Sequence, residues 1–183
     1  MAEMKILTPK DTPEYRKTDN EVMVFLGGSC TDKNNWRNSV IKFLEKIEAD
    51  KMFSLENLTL VNPFISRWNP DDEELQKEIE WESMMLDQCD IYTCYLDASS
   101  DAPISLFELG RALYQFKSKF SNGRLNYRIV VSAHPDYKRL NDLKFELAAT
   151  TKSWKTPITE INTEKNMSAH TSKIFESFIK LSK

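Results

Sequence analysis

The stretch DASSDAPISLFELGRA, residues 97 to 112, places acids where covalent chemistry needs them. It reads as the end of a strand, a short polar loop and a helix that opens at Pro103. Proline suits the first turn of a helix, because its missing N–H would be unpaired there anyway. Glu108 then falls in the first turns, where the helix dipole favours an ionised carboxylate. An ionised acid held at the mouth of an α/β sheet is a candidate nucleophile.

A second acid belongs with it. The helix expected from Asp72 to Gln88 has an apolar stripe through Leu75, Ile79, Leu86 and Cys89, and at about 100° per residue Glu82 falls in the middle of that stripe. A carboxylate on the core side is costly unless it is paired or reaches a cavity. Glu82 therefore either turns to meet a basic group or points into the same cleft as Glu108. With Asp97 and Asp101 in the intervening loop, the acids form a set that can divide into a nucleophile and a general acid, as glycoside chemistry requires.

Other residues carry weaker signals. Gly27-Gly28-Ser29 is neither a P-loop nor a GxGxxG motif, since no lysine or third glycine follows at the needed place. It does let backbone approach a ligand closely, with the Ser29 hydroxyl available as a donor. Phe64 and Trp68 lie in a loop from which an aromatic ring can stack on a base. His134 and His170 show no serine partner and no metal-ligand spacing, so neither is assigned a catalytic role. The bases from Lys117 to Arg128 read as a solvated face. Cys30, Cys89 and Cys94 have no CxxC or Cys/His spacing, which points to neither a disulfide framework nor a zinc site.

The elements that must position these residues alternate between strand and helix. Residues 22–26 form a continuous apolar run closed by Gly27-Gly28, the pattern of a strand buried on both faces. A helix follows, capped by Asp32 or Asn34, with Trp36, Val40, Leu44 and Ile47 at helical spacing. Strands are expected at 58–61, 90–96 and 127–131, helices from Asp72, Pro103 and Tyr137, an edge strand at 157–161 and a closing helix through Ile174, Phe178 and Leu181. This order predicts an α/β, three-layer sandwich with a mostly parallel five-stranded sheet and helices on both faces, flavodoxin-like or Rossmann-like. Residues 1–20 read as an arm over a single domain spanning 21–183. Ligands of such sheets bind outside the carboxyl ends of the strands, which here are Gly27 to Ser29, Asn62-Pro63, Asp97 to Asp101 and Ala133-His134.

The chain's 183 residues are enough to bury one real core, and 25 basic against 28 acidic residues argue against binding a nucleic-acid polymer or an anionic membrane. No apolar run approaches the roughly 20 residues of a membrane helix, and the first twenty residues are too polar for a secretory signal. The expected location is the cytoplasm.

Taken together, several segments resemble the nucleoside 2-deoxyribosyltransferase family, in its 2-deoxyribosyltransferase-like branch. They are Val24 to Ser29 with Trp36 after it, Asn62-Pro63, Ile79 to Glu82 with Asp90-Ile91, and Pro103 to Gly110, spread over residues 22 to 133. The resemblance implies that Glu108 occupies the nucleophile position, attacking C1′ of a 2′-deoxynucleoside and holding the sugar as a glycosyl ester until another base or water accepts it. It implies that Glu82 contacts the base and that Asp97 or Asp101 serves the sugar hydroxyls and proton transfer. Gly27, Gly28, Ser29, Asn62 and Trp68 would then line the substrate. The expected ligands are a nucleoside or nucleotide and a free nucleobase, with no metal or organic cofactor, and the resemblance implies a homo-oligomer. Two other activities fit the same residues: an N-glycosidase that uses water as acceptor, and an inactive nucleotide-binding sensor.

Overall fold

The computed structural model describes residues 4–10, 14–30, 35–65, 70–121, 127–154, 162–163 and 168–182. Among these residues six strands and five helices follow one another as β1 (Lys5–Leu7), β2 (Val22–Gly28), α1 (Trp36–Ala49), β3 (Leu58–Val61), α2 (Asp72–Gln88), β4 (Ile91–Leu96), α3 (Pro103–Ser121), β5 (Arg128–Ala133), α4 (Leu140–Trp154), β6 (Asn162–Thr163) and α5 (Ser168–Leu181). The strands form one sheet in the order β1-β3-β2-β4-β5-β6, and every pairing is parallel. The α/β three-layer expectation holds: four of the five strands read from the sequence are found as β2 to β5, a short β6 follows the segment where the fifth was expected, and one strand is additional. The addition comes from the arm: Lys5, Ile6 and Leu7 pair with Thr59, Leu60 and Val61. The edge strand expected at 157–161 and the capping residues Asp32 and Asn34 lie outside the described residues.

Alternation along the strands separates two cores. Met23 and Phe25 of β2 join Val61, Tyr92, Cys94 and Val131 beneath α2, α3 and α4. Val22, Val24 and Leu26 point to the other face, where Leu44 of α1 and Ile174 and Phe178 of α5 cover them. Successive strand side chains leave on opposite faces, so a strand apolar at every position must be covered twice. β2 and β4 are buried along their whole length.

α2 corrects the expected stripe. Its buried residues are Glu78, Trp81, Met85 and Leu86, while Leu75 and Ile79 are 39% and 53% exposed. Trp81 and Met85 offer more apolar area to the sheet than Leu75 and Ile79 do, and the helix is rotated accordingly. Its start is fixed by a capping box: the Asp71 carboxylate accepts from the Glu74 N–H at 2.9 Å and the Glu74 carboxylate answers to the Asp71 N–H.

Two further expectations change. His170 does have a serine partner, its Nδ1 lying 2.8 Å from the Ser132 hydroxyl in the core, with both residues fully buried. Lys119 is not part of a solvated face: its ammonium donates to the Cys89 carbonyl and sits 4.2 Å from the centre of the Tyr127 ring. No described helix is long and apolar enough to cross a membrane.

Candidate active site

Strand order reverses at β2, which has β3 on one side and β4 on the other. Such a switch point opens a crevice at the carboxyl ends of the strands. A cavity of about 650 Å³ lies there, walled by Gly28 at the end of β2, Arg37 of α1, the segment Pro63 to Ile65 after β3, one face of α2, and the start of α3. Glu82 and Glu108 both line it, from two different helices. The face of α2 that reaches it carries Leu75, Glu78, Ile79 and Glu82, so Leu75 and Ile79, turned out of the core, meet the cavity beside the two acids.

Gly28 makes the close approach possible. Its φ is +123°, and a Cβ there would lie 2.3 Å from the Tyr95 carbonyl oxygen. Only glycine accepts that conformation and that contact. The turn beyond it is held from beneath: the Ser29 N–H donates to the Tyr95 carbonyl, and the Ser29 hydroxyl accepts from the Asp97 N–H at 2.9 Å. Ser29 is 1% exposed and ties the ends of β2 and β4 together rather than lining the cavity.

The remaining residues read from the sequence divide by place. Asp97 is buried, and its carboxylate accepts from the N–H and hydroxyl of Ser99. Asp101 is exposed and paired with Lys138 at 3.2 Å. Asn62 accepts from the Phe64 N–H at 3.2 Å and shapes the loop whose next residues form the wall. Gly27 packs against the Tyr92 ring. None of Asp97, Asp101, Asn62 and Gly27 lines the cavity. Trp68 and Arg67 lie outside the described residues.

The electrostatics overturn one expectation. Glu108 sits in the second turn of α3, whose first turn has no acid, and the dipole's influence fades within a turn. Burial and the neighbouring charge of Glu82 instead raise its pKa to about 8. Burial raises Glu82 to about 7. The guanidinium of Arg37 works against both shifts. Because the charge of Glu82 is felt at Glu108, the protonation of one acid bears on that of the other. A perturbed pair in a cleft has the acid–base range a catalyst at neutral pH needs.

Arg37 was not legible in advance. It is 1% exposed, and its guanidinium donates to the carbonyls of Leu26, Ser29 and Gly28 at 2.8, 3.1 and 3.1 Å. Three bonds to one turn fix a positive charge in the wall between the glycine end of β2 and the two acids. A faint signal existed in its position, since a base in the first turn of a helix opposes the dipole and needs a reason to be there. Among the described residues no group of three or more His, Cys, Asp or Glu is arranged to hold a metal ion.

Residues 21–120, more than half of the chain, match the family model described as "Nucleoside 2-deoxyribosyltransferase like". The matched segment runs from β2 to α3 and so contains Gly28, Arg37, Glu82 and Glu108. No curated protein matches the chain.

Proposed function

From the premise that the chain belongs to the nucleoside 2-deoxyribosyltransferase-like family, we propose that it transfers a 2-deoxyribosyl group between nucleobases through a covalent intermediate on Glu108. The observation that carries this reading is the pairing of Glu82 and Glu108 across one cavity, each pushed toward neutral pH. The reaction needs one of them ionised and the other protonated at the same pH.

In the first half-reaction a Glu108 carboxylate oxygen bonds to C1′ as the bond from C1′ to the base nitrogen breaks. The departing base takes the proton of Glu82 at a ring nitrogen. In the second, an incoming base gives a proton back to Glu82 and its nitrogen displaces Glu108 from C1′. Splitting the displacement this way leaves both faces of the exchange with the same catalytic groups. A base nitrogen that accepts from Glu82 selects the arrangement in which the proton sits on Glu82 and Glu108 is charged. Arg37, already fixed by three carbonyls, steadies that charge without having to move.

The test is incubation with a 2′-deoxynucleoside and a second free base, followed by chromatography. A new nucleoside is the expected product. Free base alone would make the protein a hydrolase, and unchanged substrate would leave a binding module. Glu108→Gln should lower turnover on the order of 10³-fold or more; retained activity would remove Glu108 from the nucleophile role.

A further inference from the structure

Glu78 stands one helical turn before Glu82 and also lines the cavity. It is only 9% exposed, and its Oε2 is buried with no hydrogen-bond partner. A buried acceptor left unpaired costs roughly 1–3 kcal/mol, so such an atom calls for an explanation. Trp81 and Met85 give the same stretch of α2 its packing, and Glu78 is not needed for that.

All three acids line the same cavity, and the charge of Glu82 acts on both Glu108 and Glu78. Four residues of helix separate Glu78 from Glu82 by about 6 Å along the axis, close to the length of a bicyclic heterocycle. Glu78 is also shared with a second cavity of about 530 Å³, which contains Lys10 of the arm and is floored by Trp81 and Met84. The acid therefore stands where the main cavity ends and the second begins.

We propose that Glu78 is a specificity residue whose Oε2 accepts a hydrogen bond from an exocyclic amino group at the far edge of the base, so that the site selects amino-substituted nucleobases. The assignment rests on the proposed function for its direction, with sugar at Glu108 and base beyond Glu82. An amino group projects past the ring and reaches an acid one turn further on. A bare ring carbon leaves Oε2 unpaired, and rejection of a ligand by an unsatisfied buried group is a strong form of discrimination. Burial and the charge of Glu82 raise the Glu78 pKa to about 7. Half-protonated near neutrality, the carboxyl keeps Oε2 as an acceptor and adds a donor for an adjacent ring nitrogen.

Binding of free adenine and of unsubstituted purine, measured by calorimetry on the full chain, separates this from the alternatives. The wild type should prefer adenine by roughly tenfold or more. Glu78→Leu should bring the two within about twofold, and Glu78→Gln, which keeps an acceptor oxygen, should retain most of the preference. Equal binding by the wild type, or a preference that survives Glu78→Leu, would overturn the assignment and leave an ordered water as the partner of Oε2. If Glu78→Leu does not fold, N6,N6-dimethyladenine replaces the variant: with no N–H to donate, it should bind no better than purine, and adenine-like binding would refute the contact. Binding does not depend on turnover. Discrimination without any base exchange would sink the transferase reading alone, and base exchange without discrimination would sink the role of Glu78 alone.

Discussion

Arg111 of α3 donates to both the hydroxyl and the carbonyl of Ser83 on α2, at 2.8 and 3.2 Å. Ser83 follows Glu82 directly, and Arg111 comes three residues after Glu108. The two acid-bearing helices are therefore strapped together beside the acids they carry, with Asp87 as a further partner of the guanidinium at 2.7 Å. A half-exposed ion pair of this kind adds little stability by itself; its value lies in spacing and in charge, since Arg111 holds the Glu108 pKa down.

Arg111→Met should accordingly raise the Glu108 pKa further and move the acidic limb of the pH profile of kcat/KM to higher pH. The loss of spacing should lower kcat/KM by about tenfold. The pH–rate profile of the variant measures both. A lower rate with an unmoved limb would show that only the spacing matters.

Stability should fall as pH rises across neutrality. Glu78, Glu82 and Glu108 have folded pKa values of about 7, 7 and 8 against ordinary values near 4.5. A group whose folded pKa is raised binds more protons in the native state between the two values, so its contribution is whole below about pH 4.5 and is lost as pH climbs through 7 to 8. Chemical denaturation at a series of pH values should show this slope. Glu108→Gln should flatten it and leave the protein more stable than wild type at pH 8.

His170 acts in the opposite direction and lower in pH. Burial depresses its pKa to about 3, and its Nε2 is buried without a partner. The neutral ring's contribution is whole above about pH 6.5 and is lost as pH falls toward 3. His170→Leu should remove that part of the acid sensitivity. It should also cost about 1–3 kcal/mol at pH 7, because the Ser132 hydroxyl loses its partner in the core. Denaturation curves at pH 4 and pH 7 give both quantities.

Gly28→Ala should destabilise by roughly 1–3 kcal/mol or more from backbone strain alone, with a clash against the Tyr95 backbone in addition. Thermal unfolding checks this. A fully stable variant would mean that the end of β2 can shift, and the cavity wall with it.

Much of this architecture was readable because parallel sheets are repetitive. The runs at 22–26, 58–61 and 90–96, and the Pro103 helix start, follow from local rules, and those rules alone bring Glu108 to the carboxyl edge. Glu82 was found by a stripe that the molecule uses only in its second half, where Leu86 and Cys89 are buried. Leu75 and Ile79 have the right spacing for a core face, but which face of a helix is buried depends on what lies opposite, and here Trp81 and Met85 won. Arg37 and the Ser132–His170 pair were hidden for a related reason. The guanidinium bonds carbonyls 8 to 11 residues earlier, and the histidine meets a serine 38 residues away. Such partners exist only once the sheet is assembled. The pKa of Glu108 was misread because a local dipole was weighed without the burial that outweighs it.

The pairing of β1 with β3 has a consequence for how copies of the chain meet. Without the arm, β3 would be an edge of four residues, nearly all apolar, with a row of free backbone donors and acceptors. The arm takes that row and replaces it with an outer edge only three residues long, beginning at Lys5. Short, charged edges resist being copied by a neighbour. The arm is thus a stopper on sheet growth, and a chain begun at Glu21 should reveal the loss first as strand-mediated aggregation in light scattering.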